Sequence, residues 1–199
     1  MSRLIKLTSS FALMMPLLML YNCGGPQGHN LAPQASKETI KHAPKWFLEL
    51  PTASEYLYSA NTATSRAMET AIQKAKNLAQ TGLAQQLELK MGSLTKQFQE
   101  ETGLEEDSEL LNQFTLVTKA VTDETLIGAR EDKRELVTER GMYRAYVLMS
   151  LPIGRANQLL MSKLSADNNI YTRFRSTEAF KELDKELDAF AKREKEGMQ

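Results

Sequence analysis

The sequence predicts an α+β fold. Three observations carry the prediction: a helical stripe of apolar residues from Ser65 to Glu101, an antiparallel hairpin between Thr125 and Leu151, and a further helical pattern in the charged C-terminal tail. The 199 residues are 42% hydrophobic, enough to bury a core, and 25 basic residues balance 25 acidic ones. That neutrality argues against a nucleic-acid binder driven by counterion release. The one cysteine, Cys23, excludes a disulfide scaffold and a cysteine-based zinc site.

Residues 1–22 have the layout of a signal peptide. Arg3 and Lys6 form a positive n-region, and Phe11–Tyr21 is an apolar stretch interrupted by Pro16. It is shorter than the roughly 20 residues that span a bilayer. Next, Leu20-Tyr21-Asn22-Cys23-Gly24-Gly25 resembles a bacterial lipobox, whose cysteine is acylated and becomes the first residue of the mature chain. Ordinary secretion would need an A-x-A-like cleavage site, and none lies near. The expectation is therefore a lipoprotein carrying acyl chains such as palmitate on Cys23. Two or three chains hold a protein stably on a membrane without spanning it. Gly24 in place of Asp resembles an outer-membrane address, so the expected location is the bacterial cell envelope, at the outer rather than the inner membrane.

Loss of Arg3 and Lys6 leaves a mature charge of about −2, so no basic membrane patch is expected. Residues 23–43 are then the lipidated cysteine and a Gly/Pro-containing tether. His29 and His42 both lie in this tether, which offers few further ligands to hold a metal. The folded part is expected over 44–165, followed by a loop and a charged helix over 166–199.

Each element has its own signal. Pro44 stiffens the start, and Trp46-Phe47 supply apolar area to pin the chain to a core. Glu55–Ala60 is a short strand after the Pro51-Thr52 turn. In the long helix, Met68, Ile72, Ala75, Ala79, Leu83, Leu87, Met91, Leu94 and Phe98 recur at an average step of about 3.75. Thr64 or Ser65 is the expected cap, and Gly82 and Gly92 are the places for a kink. Ala67, Ala71, Ala75 and Ala79 make a small-residue face that would admit a partner; burial against the chain's own sheet is the commoner use of such a face.

Around Gly103, Glu100, Glu101, Glu105, Glu106, Asp107 and Glu109 cluster without the D-x-[DN]-x-[DN]-G pattern of a calcium loop. A solvated helix–turn–helix junction accounts for them. A second helix runs from Ser108 to Thr122, with Leu110, Leu111, Phe114, Val117 and Val121 on one face. Thr125–Val137 and Met142–Leu151 are hairpin strands joined at Glu139-Arg140-Gly141. The second is apolar on both faces and therefore central. Arg130–Arg134 alternate in charge, as in cross-strand pairing. Ile153–Leu164 is a helix and Asp167-Asn168-Asn169 a loop. From Ser176, the residues Phe180, Leu183, Leu187 and Phe190 form a narrow seam suited to pairing with a partner or to packing on the domain.

No G-x-S-x-G, H-E-x-x-H, P-loop or G-x-G-x-x-G occurs, and no constellation of Ser, Lys and carboxylates stands out, so no enzyme and no cofactor are expected. Pro44-Lys45-Trp46, Tyr56–Ala60, the alanine-spaced helix, Leu83-Ala84-Gln85-Gln86-Leu87-Glu88-Leu89-Lys90 and the hairpin ending at Leu151-Pro152 together resemble the LPP-twenty lipoprotein family. The resemblance spans about residues 44–152. It implies a long helix packed on a small antiparallel sheet, an envelope location and no active-site residue. The expected function is a lipid-anchored, non-enzymatic interaction or structural module. It would be membrane-bound through Cys23 and engage a protein partner or itself through Ala67, Ala71, Ala75, Ala79, Phe180, Leu183, Leu187 and Phe190, with no nucleic acid. An accessory role in the flagellar apparatus, implied by the same resemblance, and binding of a small molecule or lipid are the alternatives.

Overall fold

Five residues of the expected tether form the first described element, helix α1 (Lys37–Lys41). A computed structural model describes residues 37–105 and 108–197; Cys23 and His29 lie outside them. Contacts to the sheet explain why α1 is ordered where composition suggests a linker. The Thr39 hydroxyl donates to Glu139 Oε1 at 2.5 Å, and the Thr39 carbonyl accepts from the Tyr146 hydroxyl at 3.3 Å. Helix α2 (Lys45–Leu48) follows buried Pro44 and sets Phe47 edge-on against Tyr146, with ring centroids 4.9 Å apart. Trp46 lies edge-to-face beside Phe47. The two aromatics thus act as the anchor their size predicts.

The sheet is antiparallel, with strands β1 (Tyr56–Ser65), β2 (Arg130–Glu139) and β3 (Met142–Pro152) in the order β1-β3-β2. β3 is central and buried on both faces from Ala145 to Leu151, as its apolar pattern predicts. β1 continues past Ala60 because Asn61–Ser65, rich in Thr and Ala, still pair with Tyr143–Val147. The β2–β3 turn places Arg140 at φ 50° and Gly141 at φ 74°, the two left-handed positions of a tight hairpin. The strand expected from Thr125 starts only at Arg130, after a short 3-10 turn over Leu126–Gly128. The charges of β2 pair mainly along the strand. Arg134 meets Glu131 at 2.7 Å and Arg130 meets Asp132 at 3.2 Å, across a bulge between Glu131 and Lys133.

Helix α3 (Met68–Thr102) packs on β1 and β3. Its 35 residues extend about 52 Å, against about 33 Å for β1, so its C-terminal third reaches beyond the sheet. Neither expected residue takes the cap position, although the Ser65 hydroxyl accepts from Ala67 N at 3.2 Å. Thr64 and Ser65 belong to β1, and Ala67 takes the cap position without a side-chain bond. Nor does the helix break at Gly82 or Gly92. Gly82 has a different use: a Cβ there would lie 2.3 Å from Ser59 Oγ, so its bare backbone is what lets α3 approach β1. Gly103, at φ 66°, ends the helix and returns its N–H to the Gln99 carbonyl.

Helix α4 (Glu109–Thr125) is capped by Ser108, whose hydroxyl accepts from Leu111 N, and runs to Thr125 rather than Thr122. Helices α5 (Ile153–Ser165), α6 (Asn168–Arg175) and α7 (Glu178–Gly197) complete the chain. The Asp167-Asn168-Asn169 loop of the sequence reading is instead the start of α6. Asp167 Oδ1 accepts from Asn169 N at 2.9 Å and Ile170 N at 3.2 Å, a helix cap. Where α3 leaves the sheet, Phe98 stacks on Phe114 at 4.2 Å, and Phe174 closes the cluster from α6. The result is α+β, a long helix shared between a three-stranded antiparallel sheet and a layer of C-terminal helices.

Candidate interaction surfaces

The alanine face is spent inside the molecule. Ala71, Ala75 and Ala79 are fully buried in the core shared with Ala145, Val147, Met149 and Leu151 of β3. Small side chains there bring the helix close to the sheet, so no partner reaches them as a surface. Ala67 alone of the four is exposed, at the helix cap.

The C-terminal seam is largely spent as well. Leu183 is buried; Phe180, Leu187 and Phe190 are half-buried. Phe180 lies edge-on to Phe174 at 5.6 Å. A Cβ on Gly154 would sit 2.2 Å from the Phe190 ring, so α5 offers a glycine as the floor on which that ring rests. A seam with heptad-like spacing therefore docks α7 on its own domain.

Polar nodes tie the layers together. Buried Asn157 of α5 donates to Glu186 Oε2 of α7 at 2.7 Å, and Glu186 pairs with Lys90 of α3 at 3.2 Å. Glu55 meets Arg193, joining the approach to β1 to α7. Hydrogen bonds from Ser54 and the backbone, helped by Arg193, lower the Glu55 carboxyl below its usual range. At the hairpin, Glu139 also accepts from Arg144 at 2.7 Å. The Thr39 hydroxyl first, and then the Arg144 guanidinium, hold the Glu139 carboxyl below the ordinary range, while burial pushes the Tyr146 phenol up.

Within the acidic cluster, Glu101 accepts from Glu178 N at 2.6 Å and so serves the first turn of α7. Glu106 and Asp107 lie outside the described residues. Among the described residues no group of three or more His, Cys, Asp or Glu could hold a metal ion. A cleft of about 530 Å³ separates α3 from α4, lined by Met91, Thr95, Thr115, Thr118 and Thr122 among others. Those threonine hydroxyls donate to carbonyls of their own helices, at Met91, Leu111, Thr115 and Thr118. The cleft therefore presents threonine methyl groups whose hydroxyl donors are already used, beside the charged side chains of Glu88, Lys119 and Asp123.

The surfaces that stay uncommitted are not the alanine face or the C-terminal seam. Leu78, Leu89, Leu116 and Ile127 are exposed, and the outer edge of β1 pairs with no strand among the described residues. Leu78 borders buried Ala79, Leu89 lies midway in sequence between buried Leu87 and Met91 and so on the other side of the helix from them, and edge position follows only from the strand order. No family model matches the chain, and no curated protein matches it.

Proposed function

We propose that the chain is a lipid-anchored protein of the bacterial cell envelope whose folded domain is a non-enzymatic interaction or structural module. The observation that carries this reading is Leu20–Gly25, a cysteine at the end of a short apolar segment that follows Arg3 and Lys6. Residues 24–36 lie between Cys23 and α1, and fully extended they span no more than about 45 Å, so the tether holds the domain close to its membrane. Among the described residues no helix is long and apolar enough to cross a membrane.

The domain itself supports the module reading. Several of its carboxylates and cations, including Glu55, Glu139, Glu186, Lys90, Arg144 and Arg193, pair with each other in positions that join elements or close the hairpin. Its uncommitted features are apolar side chains and a strand edge, which suit a macromolecular partner. The test is metabolic labelling with palmitate followed by membrane fractionation. The wild-type chain is expected to take up label and sediment with membranes. Cys23→Ala is expected to lose the label and leave the membrane fraction; label retained on that variant would overturn the anchor.

A further inference from the structure

The two edges of the sheet are built differently. β2 carries Arg130, Glu131, Asp132, Lys133, Arg134, Glu135 and Glu139, together with a bulge, the features that keep an edge strand from pairing with another chain. β1, Tyr-Leu-Tyr-Ser-Ala-Asn-Thr-Ala-Thr-Ser, has no charge, no proline and no irregularity in its register with β3. Gln86 Nε2 reaches the Tyr58 carbonyl at 2.9 Å from α3, so that carbonyl points away from β3. By the alternation of antiparallel pairing, Ala60, Thr62 and Thr64 turn their backbone groups outward too.

Helix α3 follows this edge. Asn61 Nδ2 donates to the Leu78 carbonyl at 3.2 Å, Gly82 meets Ser59, and Gln86 meets Tyr58. Leu78, Gly82, Gln86 and Leu89 thus form one stripe along β1, and its two leucines are 48% and 75% exposed. We propose that the chain self-associates through β1, pairing antiparallel with β1 of a second copy about a two-fold axis and bringing the two α3 helices together on one face of a six-stranded sheet. The proposal rests on the interaction-module reading above and names its partner.

Spacing and charge select a second copy over a lone peptide strand. α3 packs on β1 and β3, so in the joined sheet two strand spacings separate it from its mate, about 9.6 Å. Helices in contact sit 8–10 Å apart. A lone strand would pair the edge but bring no helix to cover Leu78 and Leu89. The two-fold axis also matches the stripe to itself: Leu78 faces the partner's Leu89, Gln85 the partner's Gly82 and Lys74 the partner's Ser93. No like charges meet at these positions.

Sedimentation equilibrium of the full-length protein in density-matched detergent tests the proposal. A dimer is expected to accumulate with concentration, with amides of Tyr58, Ala60 and Thr62 gaining protection from hydrogen exchange in step. Leu78→Glu/Leu89→Glu sets like charges across the axis at exposed positions and should weaken the dimer tenfold or more, about the effect of one such repulsive pair. Leu78→Glu/Leu89→Lys sets opposite charges there and should restore it. A protein that stays monomeric, or a dimer indifferent to both variants, overturns the proposal. A monomer that still takes palmitate on Cys23 overturns self-pairing alone and leaves the anchored module standing.

Discussion

Gly82 and Gly92 sit in the same helix and are indistinguishable as letters, yet the structure gives them opposite meanings. A methyl group at Gly82 meets Ser59 Oγ at 2.3 Å, whereas one at Gly92 meets nothing within 4 Å. Gly92→Ala should stabilise the protein by up to about 1 kcal/mol, the ordinary helix-propensity gain. Gly82→Ala should instead cost about 1–3 kcal/mol, because overpacking between helix and strand outweighs that gain. Ser59→Ala removes the clashing oxygen and should recover much of the loss, a coupling that urea unfolding of the double variant would measure. The sequence marks both residues as points of weakness in a helix. Only the opposing strand says which is a point of contact.

At the scale of elements, the amphipathic patterns of α3 and α4, the hairpin turn and the central position of β3 were all legible, because each is a local periodicity or a run of one residue type. Element ends were less so. Thr64 and Ser65 have good capping chemistry, but pairing with β3 claims them for the strand, and tertiary pairing outcompetes a local cap. The reverse holds at α6, a helix of 8 residues whose pattern is too short to register. Its existence depends on Asp167 satisfying two amides at its start and on Ile170 and Phe174 being buried. Asp167→Ala should therefore cost about 1 kcal/mol, the usual worth of such a cap. Urea unfolding with unchanged midpoint would show that burial alone holds α6.

For the whole molecule, the first described helix acts as a latch on the hairpin through Thr39, Glu139, Arg144 and Tyr146. The Glu139 carboxyl is held below its ordinary value, so its contribution to stability is fully present above about pH 4.3 and is lost as pH falls through the depressed value. Glu139→Gln should melt below wild type at neutral pH, and the gap should narrow and close as pH falls through the depressed value. A gap that persists in acid would show that the carboxylate is not what the latch uses. By itself the sequence determined the α+β class, the long helix and the hairpin, because periodicity and turn chemistry are local properties. It could not decide what the alanine face and the C-terminal seam touch, since a stripe of given width serves a sheet or a partner equally well. Tertiary structure decided that by laying α3 over β1 and β3 and α7 over α5. Those placements bury the predicted surfaces and leave exposed an uncharged strand edge that no local pattern marks.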